Sequence, residues 1–321
     1  MPAKNAAKFV ADCLDSVLSQ TYNSWELRVV NDHSTDHTLQ ILKQYADRDS
    51  RIQVLENDGH GIIPALRLAF KNSHGKYVTR MDADDLMPLH KIESLIAACR
   101  GENEIATGLV SYFSEAGIGD GYKRYAQWLN QNMQSPDPFK AIYKECVIPS
   151  PCWMLHRTTL QKLGAFDPDT YPEDYDLCFR MRSYGLKVRA VGEVLHLWRD
   201  HPERSSRTDE HYTDNRFLNL KLHYFLEEDA ASDIPLVLWG AGKKGKKIAA
   251  FLSQAGKSFH WITGNASKVG HDIYGTTLED ESLLERASNL QVIVAIASVD
   301  AQEHIAEVLD SKSGVEGFYF C

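Results

Sequence analysis

Apolar residues recur along the first 80 positions at spacings that switch between helix and strand. Ala7, Val10, Ala11, Leu14, Val17 and Leu18 share one face of a helical repeat, so a helix is predicted up to about Gln20, with Asn5 as its cap. Leu27-Arg28-Val29-Val30 reads as a strand that empties into the polar run 31–36. Leu39, Leu42 and Tyr45 mark a second helix, Ile52 to Leu55 a second strand with a turn at 57–61, and Ala65, Leu68 and Ala69 a third helix. Lys76 to Met81 is the next buried strand. Alternation of this kind predicts an α/β fold, a mostly parallel sheet with helices on both faces. Ligands of such sheets sit beyond the carboxyl ends of the strands.

Further on, the pattern predicts a strand at 109–113, a helix at 121–133, a strand with its turn at 150–157 and a helix after Pro172 that turns Leu177, Cys178 and Met181 inward. Trp153 lies on an internal strand, where core packing outweighs a role as a stacking platform for a sugar ring. A helix around 217–228 precedes the polar linker 229–233. Ile234 to Trp239 is then a strand running into Gly240-Ala241-Gly242-Lys243-Lys244-Gly245, with a helix after it, and later strands are predicted at 260–263, 291–297 and 318–320. The glycines at 240, 242 and 245 fit GxGxxG in the right context, where a phosphate meets a helix N-terminus. The acid expected after the second strand is absent, since Gly264-Asn265 stand there. The chain therefore divides into a domain at 1–228 and a smaller Rossmann-like α/β domain at 234–321, long enough for one half of a dinucleotide fold. That domain is expected to bind a nucleotide or to support a homo-oligomer; a glycine turn kept for packing is the plainer alternative.

Composition removes several classes. With 35 basic and 44 acidic residues the net charge is −9, which argues against nucleic acid as a partner. The six cysteines are scattered, without a CxxC or metal spacing, as in a reduced cytoplasmic protein. No window holds 18 uninterrupted apolar residues, so any membrane association would be peripheral.

The candidate chemistry gathers at Asp82-Ala83-Asp84-Asp85, three acids in four positions at a strand end. Close carboxylates repel one another and are costly to desolvate, so a cation, Mg2+ or Mn2+ for hard oxygen ligands, is one reason to gather them. A solvated loop capping the next helix is the other. The second acidic loop at 31–36 falls on the same sheet edge, which favours the site. Asp174 and Asp176 fit the acidic first turn of a helix as well as they fit a catalytic carboxylate, and a helix N-terminus favours the ionised form.

Three ordered motifs add to this reading. Lys8 to Leu42, carrying 15-DSVLSQTY-22 and 31-NDHSTDHT-38, resembles the start of the family 2 glycosyltransferases. Met81 to Asp85 resembles their DxD motif, and Pro172-Glu173-Asp174-Tyr175-Asp176-Leu177 with Arg180 their ED motif. The resemblance covers roughly residues 1–225. It implies a GT-A fold and inverting transfer of a sugar from a nucleotide diphosphate donor to a saccharide or lipid-linked acceptor, usually with a divalent cation, as in synthesis of cell-surface polysaccharide or glycoconjugate. Carried over, Pro2 and Ala3 would lie beside the donor nucleotide and Asp32 would bond its base or ribose. Asp82 and Asp84 would meet the ribose, the metal and the diphosphate. Asp174 would be the catalytic base, with Glu173 as runner-up. In the segment that resembles the family's basic tail, His196 or His201 would be a third metal ligand, and Arg199, Arg204 and Arg207 would contact the diphosphate; for any one of them a solvated polar loop is the plainer alternative. Two departures stand out: the apolar strand that usually precedes the Met-Pro-Ala segment is missing, so either the start is assigned late or the sheet lacks its first strand, and Asn31 replaces the first of a usual acidic pair. The competing readings are a non-catalytic nucleotide-sugar binder and a nucleotide-dependent oxidoreductase working through 236–245.

Overall fold

A computed structural model describes residues 1–204, 216–286 and 289–321; Arg207 lies outside them. The first strand, β1 (Pro2–Ala3), is two residues long and pairs parallel with β2 (Leu27–Asn31), which pairs in turn with β3 (Ile52–Glu56). Between them run α1 (Val10–Leu18) and α2 (Thr38–Arg48), followed by α3 (Ile62–Lys71). The expected cap at Asn5 is corrected, because α1 starts after Phe9. Asn5 sits in a left-handed turn (φ 48°) and its Oδ1 accepts the Thr35 amide at 2.8 Å. The Ala6 amide donates to Thr38 Oγ1 at 2.7 Å and the Ala7 amide to Asp36 Oδ2 at 3.0 Å. Side chains of the 34–38 loop thus engage the amides that another helical turn would have used, and they stitch that loop to the N-terminal segment.

A second sheet continues the unit in the order β4 (Tyr77–Thr79), β6 (Trp153–His156), β5 (Glu104–Phe113), β7 (Lys187–Arg199). β6 runs antiparallel to both neighbours and β5 parallel to β7, so this second sheet is mixed whereas the first is parallel throughout. One core joins both sheets, with Val29, Leu42, Met81, Met154 and Leu195 among its members. Helices α4 (Lys91–Ala98), α5 (Asp120–Met133), α6 (Arg157–Lys162) and α7 (Glu173–Ser183) complete it. The pairing of β5 with β7 shifts register at Gly108 and Leu109, where a Cβ on Gly108 would stand 2.6 Å from the Leu195 side chain. Beyond that irregularity the register brings His196, Trp198 and Arg199 opposite Val110, Tyr112 and Phe113.

The second compact unit takes Lys140–Glu145 together with the chain after the undescribed stretch. The division therefore falls before α8 (Arg216–Tyr224), not after residue 228. Packing explains the difference: Phe225, just after α8, packs edge-on against Tyr143 and Phe318, and the Tyr143 ring stacks on Phe320 at 5.1 Å. The Tyr143 hydroxyl also donates to Asp229, and Lys144 Nζ to Gln302 at 3.0 Å. The unit's sheet has the order β10 (Asp272–Ile273), β11 (Thr276–Glu279), β9 (His260–Ile262), β8 (Leu236–Trp239), β12 (Leu290–Val294), β13 (Val315–Tyr319), parallel except for the β10–β11 hairpin. Helices α9 (Lys243–Gln254), α10 (Leu283–Arg286) and α11 (Val299–Asp310) accompany it. Among the described residues no helix is long and apolar enough to cross a membrane.

Candidate functional site

Loops at the carboxyl ends of β2, β3 and β4 converge in the first unit. Asp32, next after β2, is nearly inaccessible, its side chain 5% exposed. Asn57 Nδ2 donates to its Oδ1 at 2.6 Å, the Gly61 amide reaches both oxygens at 3.1 Å, and exposed Lys4 meets Oδ2 at 3.2 Å. Burial alone would raise this carboxyl, but the Asn57, Gly61 and Lys4 bonds hold it below the usual range. Asp32 therefore organises the 57–61 loop, and only its Lys4 side is open to exchange for a ligand. Gly61 is required there: its φ is +92°, and a Cβ would stand 3.2 Å from the Tyr171 hydroxyl. Removing one bond to a buried charge is expected to lower stability by roughly 1.5–3 kcal/mol for Asn57→Ala. Urea denaturation of the purified variant measures it.

The acid loop resolves into three roles. Asp85 is structural: the Arg199 amide donates to its Oδ1 at 2.8 Å and His196 Nε2 to its Oδ2 at 2.9 Å. On the far side of that imidazole, Lys91 Nζ donates to His196 Nδ1 at 3.0 Å. His196 is fully buried, and burial followed by the Lys91 charge keeps it well below the usual histidine range. Both of its nitrogens are engaged, so the expectation of a metal ligand at His196 is corrected. Burial and the neighbouring Asp84 charge push the Asp85 carboxyl well up.

Asp84 faces the 201–204 segment. Its Oδ2 lies 3.0 Å from His201 Nε2, and although burial would raise it, that contact and the Arg204 charge keep it below the usual range. His201 Nδ1 is buried without a partner among the described residues. Asp84 Oδ2 and His201 Nε2 hydrogen-bond to each other at 3.0 Å; the carboxylate is a hard ligand suited to Mg2+ or Mn2+, and an imidazole beside it favours Mn2+ of the two. Arg199, expected on the diphosphate, is engaged elsewhere: Nε donates to the Asp84 carbonyl at 2.8 Å and Nη2 to Asp12 at 3.0 Å, with Phe9 and Phe113 under its guanidinium. It clamps the acid loop to β7. Arg204 stacks on Tyr112 and Trp198 with its charge toward Asp85 and Asp84.

Asp82 meets the other motif through Arg80. Arg80 Nε donates to Asp82 Oδ1 at 2.8 Å and Nη1 to Glu173 Oε1 at 2.8 Å, with Arg80 and Glu173 only 7% and 6% exposed. One guanidinium thus joins the acid loop to the start of α7. Glu173 is held in that pair, whereas Asp174 takes only the Tyr175 amide, at 2.8 Å, among the described residues. Burial and the adjacent Glu173 charge push the Asp174 carboxyl up to about 7, so the expected preference for the ionised form at a helix N-terminus is outweighed by desolvation. Pro2 and Ala3 pair with Val30 and Asn31 immediately before Asp32, which puts them at the same loop cluster.

Trp153 is 3% exposed, and the acceptor-platform alternative is corrected: its ring is in the core. The half-buried aromatic side chains lie instead beside the end of β7, where Tyr125 neighbours Trp198 at 6.2 Å and Trp128 at 6.1 Å, and Tyr112 packs on Trp198 at 5.0 Å. Sequence reasoning passed over this group and Arg80. The one signal for Arg80 was a cation placed between an apolar strand and an acid run. Gly240, Gly242 and Gly245 lie in the second unit, where the first two line a separate cavity and Gly245 packs against Gly240.

Comparison with known proteins bears on the family and the fold. The model of glycosyl transferase family 2 matches residues 1–164. Over 117 residues the chain is 34% identical to glycosyltransferase GlyA of Streptococcus pneumoniae serotype 4, covering 36% of this chain and 17% of GlyA. Over 95 residues it is 39% identical to the putative teichuronic acid biosynthesis glycosyltransferase TuaG of Bacillus subtilis, covering 29% of this chain and 37% of TuaG. The chain thus spans less than half the length of these relatives. In structure it is similar to S. aureus TarS 1–349 in complex with UDP-GlcNAc, with a TM-score of 0.56, 16% identity, and coverage of 78% of this chain and 70% of that one.

Proposed function

The chain belongs to glycosyl transferase family 2, with a GT-A type fold, and on that footing we propose that it transfers a sugar, with inversion, from a nucleotide diphosphate donor to an acceptor hydroxyl. The observation that carries this reading is Arg80, whose two ends bind Asp82 of the acid loop and Glu173 beside Asp174. Donor and acceptor chemistry need such neighbours: acids that would hold a cation against the leaving diphosphate, and a carboxylate on the attacking hydroxyl.

In this reading Asp84 and His201 hold a divalent cation, with Asp82 close by. Bound there, the cation supplies charge stabilisation for the departing diphosphate. Lys4 releases Asp32 to the nucleoside, and Arg204 adds positive charge beside the acid loop. Asp174 accepts the proton of the acceptor hydroxyl as that oxygen attacks the anomeric carbon from the face opposite the leaving group. A carboxyl near 7 suits a base at neutral pH, being deprotonated in about half the molecules yet basic enough to take the proton. Tyr125 and Trp128, half-buried, offer ring faces for a saccharide acceptor. The teichuronic acid biosynthesis ascribed to TuaG supports a product of the cell-surface polysaccharide class, and TarS with UDP-GlcNAc supports a UDP-sugar donor. The free cysteines support a reducing, cytoplasmic setting.

Thermal shift with a panel of nucleotide sugars, with and without Mn2+, tests the donor assignment, because binding to the native state raises its stability. One nucleotide sugar is expected to raise Tm, more so with Mn2+. In Asp84→Ala the Mn2+-dependent part of that shift should vanish; if it persists, the cation is held elsewhere.

A further inference from the structure

In the second unit the chain leaves β8 toward β9 on one side, and β12 lies on its other side, so crossovers diverge from the carboxyl end of β8. Open parallel sheets bind ligands at that kind of divergence. A cavity of about 900 Å³ opens there, near the top of the roughly 300–1,000 Å³ range of small-molecule sites. Its walls come from the glycine loop after β8, the turn after β9 and Ala295–Ala297 after β12.

The three glycines are not equivalent. Gly240 has φ +124°, and a Cβ would meet Ile296 at 2.9 Å; a Cβ on Gly245 would fall 2.0 Å from the Gly240 carbonyl oxygen. Folding alone accounts for both. Gly242 has φ −84° and ψ −170°, open to any residue, and a Cβ there would meet nothing within 4 Å. Its bare backbone faces the cavity at the start of α9, a 12-residue helix with no side-chain cap. Lys243 follows it on the cavity wall, and Lys268 Nζ donates to the Ala241 carbonyl at 3.3 Å, so one ammonium is held beside the uncapped turn and a second lysine lines the same cavity.

The acid missing from the sequence after β9 is supplied from elsewhere. Glu281, past the end of β11, stands beside Gly264, so near that a Cβ on Gly264 would lie 2.5 Å from its Oε1. Trp239 Nε1 donates to Oε1 at 2.9 Å, which leaves Oε2 to accept from a ligand in the cavity. Among the described residues the sheet adds β13 alone beyond β12, so the pocket is framed by one mononucleotide-sized half.

We propose that this cavity binds a ribonucleoside diphosphate, its phosphates on the Gly242–Lys243 turn and its ribose diol on Glu281, independently of the site in the first unit. Calorimetry on the full chain carrying Asp84→Ala, in EDTA, with ADP, UDP and GDP tests it. At least one of these should bind, and Gly242→Val and Glu281→Gln should each weaken that binding about tenfold or more. Gly242→Val projects into open space and Glu281→Gln keeps an acceptor for Trp239, so both should melt like the parent chain. The 2′,3′-dideoxy analogue should bind at least tenfold more weakly than the ribonucleotide. Absence of binding in the Asp84→Ala chain, indifference to both substitutions, or tighter binding of NADH than of every mononucleotide overturns the proposal.

Discussion

Replacing Asp174 with Asn is expected to lower kcat by about 10²- to 10⁴-fold, the usual contribution of a positioned base, while leaving donor affinity nearly unchanged. The amide keeps the size of the carboxylate and can still accept the Tyr175 amide, so the fold should survive. It cannot take a proton from the acceptor. The pH dependence of the parent enzyme follows from the same group. Because burial and Glu173 raise the Asp174 carboxyl to about 7, the active deprotonated form is lost as pH falls through that value. Transfer should therefore drop about tenfold per pH unit on the acid side and level off above about 8, a limb absent from the residual activity of Asp174→Asn. Steady-state rates from pH 5 to 9 decide it. If Asp174→Asn turns over at the parent rate, Glu173 or a group outside the motif is the base.

Arg80→Met is expected to destabilise the protein by about 3–5 kcal/mol, because it leaves Glu173 buried without its partner. The pair is almost wholly shielded from water, so screening does little to soften the loss. A midpoint shift in urea unfolding at constant slope measures it. A kinetic signature should accompany the loss. The Arg80 charge lowers the Asp174 carboxyl, so its removal should move the acid limb of the pH profile to higher pH. Unchanged stability together with an unmoved limb would mean that Arg80 links neither motif.

Elements of the fold were legible wherever the signal was local. The apolar faces of α1 and α3, the run of β2 and the glycine turn after β8 need only neighbours in sequence to be seen. Features decided by distant partners were not. Asn5 looks like a helix cap until Thr35, 30 residues away, takes its side chain. His196 looks like a metal ligand until Lys91 and Asp85, from two other segments, occupy both of its nitrogens. Glu281 carries no mark in sequence, because its relation to Gly264 exists only once β9 and β11 pair. The motifs picked out the acids as a group, yet their division into an Asp85 held by His196 and Arg199, an Asp84 paired with His201 and an Asp82 bridged by Arg80 depends on hydrogen bonds that spacing does not encode.

Lys140–Glu145 belongs to the second unit although the chain reaches it midway through the first. Any fragment that starts after residue 204 therefore lacks the Tyr143 ring against Phe320 and the Lys144 bond to Gln302. Dissection of this protein by limited proteolysis or by subcloning will not yield two self-sufficient halves, and a C-terminal piece that precipitates reports a severed interior, not an intrinsically unstable module.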